Sequence, residues 1–495
     1  MRKVTTLAVL TAGLAAVTSG LAAPGASADP GPGQEPPFCP VQLGSASQAV
    51  TAAANVGADG HATVFAGAAS TQQGPLTYHF DFGDGTSADQ STPIATHTYG
   101  YDMWKFGLQV TVTGSSGGPM SSAVCRVGVY NVKNSVQRHA GDDRYQTSTA
   151  VSQWVWADKT NDTTQRRQAK AVVLASGAGF ADALAGVPLA TYKQGPLLLT
   201  EPAALSQTTE DEIKRVLPQG STVYLLGGPS ALSPAIASKL ASDGYSVTRY
   251  GGADRYGTAM QIATRGLDNP ASAIVVTGSD FADALAAGPV ATSDDFTVDG
   301  KPAAIVLTDG DKVSDRATAA FITARLAKST SATKPTPVFA LGGPAYCAVF
   351  SIGGGGCIPA EVAQFADNGQ ISAGGASGYF DGLIGSDRYH TAGEAAYAYT
   401  THHVSSNEWI DPIFQNRFGL ASGTGFPDAL TGGAAMATLH SPIFLTERDD
   451  LPAGSTKYLG AQLAGSGLTA EADIFGGPVA VSPALEQQLT AQIVR

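Results

Sequence analysis

Apolar and polar residues follow two different patterns along the chain. From about residue 136 onward, short and continuously apolar runs alternate with predicted helices. In one stretch such runs occur at 246–250, 273–277, 303–308 and 337–341, and each precedes a helical segment. Strands that are apolar on both faces and alternate with helices form parallel sheets covered on both sides. This part of the chain is therefore predicted to consist of α/β modules with parallel sheets.

Residues 44–133 show the second pattern. Short alternating or β-branched runs at 62–65, 76–82 and 108–113 are separated by glycine-rich turns. This spacing is typical of a small β-sandwich. A leader rich in proline and glycine, residues 29–43, precedes it. The chain is thus expected to be multidomain, with a β-sandwich ahead of the α/β modules.

Four short motifs recur three times in the same order, which rules out coincidence. They are Asp-Arg-Tyr (143–145, 254–256, 387–389), Phe-x-Asp-Ala-Leu (180–184, 281–285, 426–430), an apolar strand ending in Leu-Thr (196–200, 303–308, 442–446) and Gly-Gly-Pro (227–229, 342–344, 476–478). The repeats are predicted to span 136–247, 248–380 and 381–495. Each is expected to begin at the strand before Asp-Arg-Tyr and to form its own layer of four βα units.

The first 28 residues have the features of a signal peptide. Arg2 and Lys3 precede an apolar stretch over 7–21, and 26–28 reads Ala-Ser-Ala, which fits a small-residue cleavage site. Export is therefore predicted. No later segment has about 18 uninterrupted apolar residues, so no transmembrane helix is expected.

Composition and charge restrict the function. The chain has 495 residues, 43% hydrophobic, with 29 Lys and Arg against 41 Asp and Glu and a formal net charge of −12. Nucleic acid is not an expected partner, because binding phosphates requires clustered basic residues. The signal peptide holds two basic and no acidic residues, so its removal takes the charge to −14. Any anionic ligand must then be held by local groups or a bridging cation, with weak salt dependence.

The four cysteines of an exported chain are predicted to form structural disulfides. Three pairings are possible. Position along the chain favours Cys39–Cys125 and Cys347–Cys357, because each pair then falls within one domain. The second closes a loop over the glycines at 353–356, which can adopt a tight backbone. No CxxC motif supports a redox function.

The β-rich segment resembles a PKD domain, an Ig-like module of many secreted proteins. The resemblance rests on 78–86 (YHFDFGDGT), on 96–99 (THTY) and on the strand at 110–113, with Phe80 where many members have tryptophan. Asp81 and Asp84 could form a weak calcium site. Two carboxylates supply too few oxygens for calcium, so a tight turn is the favoured interpretation and no metal is expected.

The three repeats resemble type 2 cell-wall-binding (CWB2) modules, which hold Gram-positive surface proteins to the wall, and the resemblance covers 136–495. It implies a pseudo-threefold trimer of modules that binds an anionic wall polysaccharide non-covalently. The PKD-like domain then takes the place of the displayed domain, whose own partner could be a carbohydrate or a protein.

Two repeated charged positions are candidates for a clamp. The aspartate of Asp-Arg-Tyr is expected to cap a helix. Arg144, Arg255 and Arg388 are then predicted to pair with Asp182, Asp283 and Asp428, giving one charge-assisted pair per repeat. The pair could hold modules together, or the arginines could contact phosphate or carboxylate groups of the polymer.

Enzyme motifs have little support. The segments 177–182 and 423–428 begin like GxGxxG but have a carboxylate where the third glycine belongs, so no nucleotide cofactor is expected. The GxSxG match at 114–118 lies in a β-rich turn, and no HExxH motif occurs. The predicted function is non-covalent attachment to the Gram-positive cell wall. The alternative is a secreted enzyme acting on wall glycan, with the PKD-like domain as an accessory module.

Overall fold

The computed structural model describes most of the chain from residue 38 onward. The described residues are 38–42, 48–56, 62–70, 77–81, 87–92, 95, 105–113, 119–128, 135–160, 166–281, 283–293, 295–329, 337–352, 357, 370–375, 378–401, 417–464 and 471–493. All of them belong to one unit, Pro36–Arg495. The predicted signal peptide, 1–28, lies outside the described residues.

The region before residue 135 contains two antiparallel sheets. The first has the order β1-β2-β3, with β1 (Phe38–Gln42), β2 (Gln48–Val56) and β3 (Ala62–Ser70). The second has the order β5-β4-β6-β7, with β4 (Thr77–Asp81), β5 (Ser87–Gln90), β6 (Lys105–Thr113) and β7 (Pro119–Gly128). Tyr78 and Phe80 are buried on one face of β4, as expected for strand alternation. The predicted leader thus ends in a strand, while the PKD-like sandwich stays a prediction.

Three further sheets lie in the repeat region. Their strands are β8 (Ser135–His139), β9 (Ala171–Ser176), β10 (Leu197–Thr200), β11 (Thr222–Leu226), β12 (Ser246–Tyr250), β13 (Ala273–Thr277), β14 (Ala304–Thr308), β15 (Val338–Leu341), β16 (Gln370–Gly375), β17 (Gly378–Leu383), β18 (Arg417–Ser422), β19 (Ile443–Thr446) and β20 (Glu471–Phe475). The sheet orders are β10-β9-β11-β12, β14-β13-β15-β17-β16 and β19-β18-β20-β8. Every pair is parallel except β16 with β17. The prediction of three parallel-sheet α/β modules is confirmed.

Helices connect these strands. They are Arg144–Val155, Ala181–Leu184, Gly186–Tyr192, Gln207–Val216, Pro234–Ser242, Arg255–Gln261, Ala287–Ala291, Arg316–Leu326, Gly343–Ile352, Arg388–Thr401, Phe426–Thr438, Ala453–Ala464 and Pro483–Ile493, with a π-helix at Ile262–Gly266 and a 3-10 helix at Asp283–Ala286. The aspartates of Asp-Arg-Tyr cap three of them, as predicted. Asp143 accepts from the backbone N–H of Tyr145 and Gln146, and Asp254 and Asp387 act in the same way.

The repeats do not form separate sheets, which corrects the expectation of self-contained layers. The strand that precedes each Asp-Arg-Tyr joins the sheet of the preceding module. β12 pairs with β11, β17 pairs with β15, and β8 pairs with β20 from the other end of the repeat region. The modules are thus linked in a closed ring by exchanged strands. The helix after each Asp-Arg-Tyr packs on the sheet of its own module and also contacts the preceding one: Arg144–Val155 packs on β10 and on the helix Phe426–Thr438.

One hydrophobic core cluster spans all three modules, and a second cluster, which includes Phe418 and Ile474, lies in the third. The first cluster consists of buried apolar side chains from Val151 to Phe475. Three equivalent helices contact one another where the modules meet: Gly186–Tyr192, Ala287–Ala291 and Phe426–Thr438. Gly288 faces Val187 across this contact so closely that a Cβ would collide with the valine side chain.

The β8 strand closes the ring over buried ionic groups. His139 Nε2 lies 2.9 Å from Asp473 Oδ1, and Arg417 Nη2 lies 2.5 Å from Glu471 Oε2. Arg417 Nε is also 3.5 Å from Asp473 Oδ2. The ring of Trp154 stacks on His139 with a centroid distance of 4.1 Å. We call the four ionic residues the closing network.

The disulfide Cys347–Cys357 is present, as predicted, and joins the middle of the helix Gly343–Ile352 to a residue beyond its end. The side chains of Cys39 and Cys125 lie outside the described part of the chain, so that pairing stays a prediction. Within the described residues, no helix combines the length and apolar character needed to cross a membrane.

Candidate functional site

Three phenylalanines from the Phe-x-Asp-Ala-Leu motifs meet where the modules join. The ring centroids of Phe180, Phe281 and Phe426 lie 5.4 to 6.0 Å apart, with the rings inclined by about 60° to one another. Such tilted contacts are favourable for aromatic pairs. The rings are only partly buried. We call these residues the phenylalanine triad. Sequence reasoning did not assign it a role, although a phenylalanine repeated three times was the available signal.

The predicted clamp arginines surround the triad, but they do not bind the carboxylates of their own repeats. Arg144 donates to the carbonyl oxygen of Gly177, Arg255 to that of Gly278, and Arg388 to that of Gly423. These glycines directly follow β9, β13 and β18. The pairing of Arg144, Arg255 and Arg388 with Asp182, Asp283 and Asp428 within each repeat is therefore corrected: the acceptor is a backbone carbonyl.

Each arginine also lies over an aromatic ring of the preceding module. The guanidinium carbons of Arg144, Arg255 and Arg388 lie 5.7, 5.3 and 5.8 Å from the ring centroids of Phe426, Phe180 and Phe281, respectively. A cation–π contact contributes about 0.5–2 kcal/mol, depending on desolvation. The arginines thus join adjacent modules, and the same contact occurs at all three junctions.

The three motif carboxylates lie against the Gly-Gly-Pro loops. The first glycine of each loop has a positive φ, +96° at Gly227, +84° at Gly342 and +107° at Gly476. A Cβ at any of these positions would collide with Oδ2 of Asp182, Asp283 or Asp428, respectively. Both observations require glycine. They also explain why two motifs distant in sequence repeat together.

Burial changes the ionisation of two of these carboxylates. Desolvation raises the pKa of Asp283 to about 6, while a hydrogen bond from Thr391 and the charge of Arg388 act to lower it. Desolvation also raises the pKa of Asp428, which the charge of Arg144 opposes. Thr391 and Arg388 belong to the third repeat, and Arg144 belongs to the first. The positive charge that acts on each of these two carboxylates is thus the arginine of the next repeat around the ring.

We expect Asp283→Asn to stabilise the protein above pH 6. A raised pKa means that the folded state binds the proton more tightly than the unfolded state, so this group's stabilising contribution is complete below about pH 4 and is lost as pH rises through 6. Asparagine does not ionise, so the variant does not lose this stability at high pH. The variant should exceed wild type by about 1–2 kcal/mol in unfolding free energy at pH 8 and lose this advantage at pH 4.5. Urea unfolding at both pH values measures it; a variant less stable than wild type at pH 8 contradicts it.

The weak calcium alternative at Asp81 and Asp84 stays untested. Asp84 and the side chain of Asp81 are not among the described residues. Within the part of the chain that the structure describes, no group of three or more His, Cys, Asp or Glu side chains is arranged to hold a metal ion.

Known proteins share the repeat region. N-acetylmuramoyl-L-alanine amidase LytC of Bacillus subtilis is 25% identical over 362 residues, covering 73% of this chain and 59% of the amidase. The amidase enhancer of the same organism is 32% identical over 212 residues, covering 42% of this chain and 27% of that protein. The chain therefore spans less than two thirds of either relative.

Solved structures share the fold. Cwp8 and Cwp6 from Clostridium difficile superpose with TM-scores of 0.54 and 0.53 at 17% identity. The match covers 89% of this chain and 80% of Cwp8, and 88% of this chain and 66% of Cwp6.

The profile of cell wall binding domain 2 matches three segments, 138–237, 249–363 and 383–486. These segments make up more than half of the chain, and each lies within one of the three predicted repeats. Together with the three strand-linked modules, this match shows that the chain belongs to the cell wall binding domain 2 (CWB2) family.

Proposed function

We propose that this protein is exported, attaches non-covalently to the Gram-positive cell wall by binding an anionic wall polysaccharide, and displays a PKD-like domain at the surface. The observation that carries the proposal is the closed ring of three equivalent CWB2 modules. A polymer with repeating units can contact several equivalent sites at once, and the resulting avidity can exceed the affinity of one site by orders of magnitude.

The charge of the chain requires a particular kind of attachment. A net charge of −12 before signal-peptide removal disfavours bulk attraction to an anionic polymer. Hydrogen bonds from backbone groups and individual side chains to sugar hydroxyls must then supply the contacts. The proposal accordingly includes weak salt dependence of wall retention.

The second candidate function is catalysis on the wall. One relative is an amidase and another is named an amidase enhancer. A threefold set of equivalent sites favours binding over catalysis, because catalytic centres seldom occur in equivalent triplicate.

We expect the full chain to be retained on purified Gram-positive cell wall and to be released when the secondary polysaccharide is stripped from it. Sedimentation of wall with bound protein, with and without stripping, measures this. Retention should fall less than about tenfold between 50 and 500 mM salt, since few counterions are displaced. Retention that is unchanged by stripping, or release of wall fragments by the protein, supports the enzyme candidate instead.

The same assay distinguishes between two possible roles of Arg144, Arg255 and Arg388, which are to hold modules together or to contact the polymer. We propose that they join modules and do not contact the polymer, since their guanidinium groups are already engaged by carbonyls and rings. Arg255→Ala should therefore lower the urea midpoint while the folded variant stays bound to the wall.

A further inference from the structure

An acidic residue follows the Leu-Thr strand in every module. Glu201, Asp309 and Glu447 come directly after β10, β14 and β19, and all three are exposed. They lie at the carboxyl ends of parallel strands, the edge at which α/β sheets bind ligands. The acid is thus a fifth repeated feature of the modules, in addition to the four motifs.

The backbone places an aromatic ring beside each of these acids. The N–H of Gly177 donates to the carbonyl oxygen of Thr200 at 2.9 Å, and the corresponding bonds Gly278–Thr308 and Gly423–Thr446 are both 2.8 Å long. The peptide that bears each threonine carbonyl also contains the nitrogen of the following acid. The glycine therefore binds the peptide group that joins the threonine to the acid, which places the acid next to the glycine.

The tyrosine of Asp-Arg-Tyr covers that glycine. A Cβ on Gly177, Gly278 or Gly423 would lie 2.5 to 3.0 Å from Cε1 of Tyr145, Tyr256 or Tyr389, respectively. The rings are partly exposed. In the second module the phenol oxygen of Tyr256 lies 3.5 Å from Asp309 Oδ1. In the other two modules the tyrosine pKa is raised, chiefly by burial and next by the charge of Glu201 or Glu447.

The carboxylates of these acids make few interactions that would stabilise the fold. Within the described residues, the carboxylates of Glu201 and Glu447 accept no hydrogen bond and form no ion pair, while Asp309 accepts from Ser314 at 3.2 Å and from Tyr256 at 3.5 Å. An exposed carboxylate without such a partner contributes little to folding. Its recurrence beside the same tyrosine in three modules therefore indicates a ligand.

We infer that Tyr145 with Glu201, Tyr256 with Asp309 and Tyr389 with Glu447 are three equivalent subsites for neutral, hydroxyl-rich sugar units. A carboxylate accepts strong hydrogen bonds from hydroxyl groups. A partly exposed tyrosine offers an apolar face and a polar end to a sugar ring. The inference rests on the proposed function, and it names the class of sugar unit through which the wall polysaccharide would contact these subsites.

An anionic group does not fit these subsites. Each carries its own carboxylate, and the helix-capping aspartate of the same module, Asp143, Asp254 or Asp387, is two residues before the tyrosine. The arginine between them is turned to the glycine carbonyl and the phenylalanine triad. The charged groups of the polymer must therefore lie elsewhere, and neutral sugars provide the contact.

The test compares two triple variants of the full chain for retention on purified wall. Glu201→Gln, Asp309→Asn and Glu447→Gln together keep the shape but remove the charged acceptors. The matched control is Asp211→Asn, Asp299→Asn and Asp311→Asn, exposed positions that change the net charge equally. We expect the first variant to need at least about tenfold more protein for half-saturation, and the control to bind within about twofold of wild type, both with wild-type urea midpoints.

Competition identifies the ligand class. Glucose, galactose and mannose are tested against inorganic phosphate; at least one hexose should displace the wild-type chain, and phosphate should not. Equal weakening by both triple variants, wild-type retention of the first variant, or displacement by phosphate alone would overturn the inference and leave wall attachment standing. Failure of wild type to bind the wall would remove the proposed function itself.

Discussion

Arg417→Met is expected to lower the free energy of unfolding by about 3–5 kcal/mol, the cost of leaving buried charges unpaired. Arg417 is the only arginine of the closing network, and Glu471 and Asp473 beside it are 7% and 0% exposed. Methionine fills much of the same volume but supplies no positive charge. The remaining positive partner, His139, lies 2.9 Å from Asp473.

The pH dependence of this effect can be worked out. Burial raises the pKa of Glu471, while the charge of Arg417 opposes that rise. Without the arginine, the folded state favours protonated Glu471 more strongly, so acidification relieves the unpaired charge. The difference between variant and wild type should be largest at neutral pH and should shrink as pH falls toward 5.

Urea unfolding followed by circular dichroism measures the difference. Arg448→Met is the matched control, because Arg448 is 55% exposed and pairs only with Asp449 at the surface; it should change stability by less than about 0.5 kcal/mol. Adding Glu471→Gln to Arg417→Met should restore part of the loss. Equal effects of the two arginine variants would show that the closing network does not stabilise the ring.

The closing network distinguishes one junction from another. Asp473 stands three residues before Gly476, and the corresponding residue of the first module is Tyr224. Tyr224 stacks in parallel on Tyr250 with a centroid distance of 5.7 Å, where the third sheet has the pair His139 and Asp473. The two junctions therefore use chemically different pairs at the same place. Mispairing of β8 with β11 would bury a histidine against a tyrosine, without its carboxylate.

Local features of the fold were predictable from sequence. Continuous apolar runs marked β13, β14 and β15, and the aspartates of Asp-Arg-Tyr marked three helix starts, because both signals depend on neighbouring residues. Strand exchange was not predictable in this way. The residues of β8 have the same pattern whether they pair with β11 or with β20, so periodicity does not specify the partner.

The candidate site shows the same limit. Repetition singled out Arg144, Arg255 and Arg388, but their hydrogen bonds go to carbonyl oxygens and they lie over aromatic rings, with Asp280 3.8 Å from Arg388 in addition. A backbone acceptor has no sequence signal, since every residue carries one. A repeated carboxylate was therefore the partner that the sequence suggested. The charge of an arginine does lower the pKa of Asp283 and of Asp428, but that arginine belongs to the next repeat.

Removal of β8 is expected to lower the free energy of unfolding at least as much as Arg417→Met does. A chain that begins at residue 141 loses the strand that pairs with β20 over five residues, and with it His139, one of two ionic partners of the fully buried Asp473. It also exposes the edge of β20, whose Ala472 and Ile474 are buried. An unpaired, apolar edge strand is prone to pair with other chains.

The matched control begins at residue 135 and keeps β8. Both chains lack the β-rich region before residue 135, so their difference isolates the closing strand. We expect the longer chain to be monomeric with a cooperative unfolding transition, and the shorter one to unfold at lower urea and to self-associate in size-exclusion chromatography. A monomeric shorter chain of equal stability would mean that module 3 needs no fourth strand. The predicted loss follows from the ring itself: the first strand of the repeat region completes the last sheet, so the modules stabilise one another only when both ends meet.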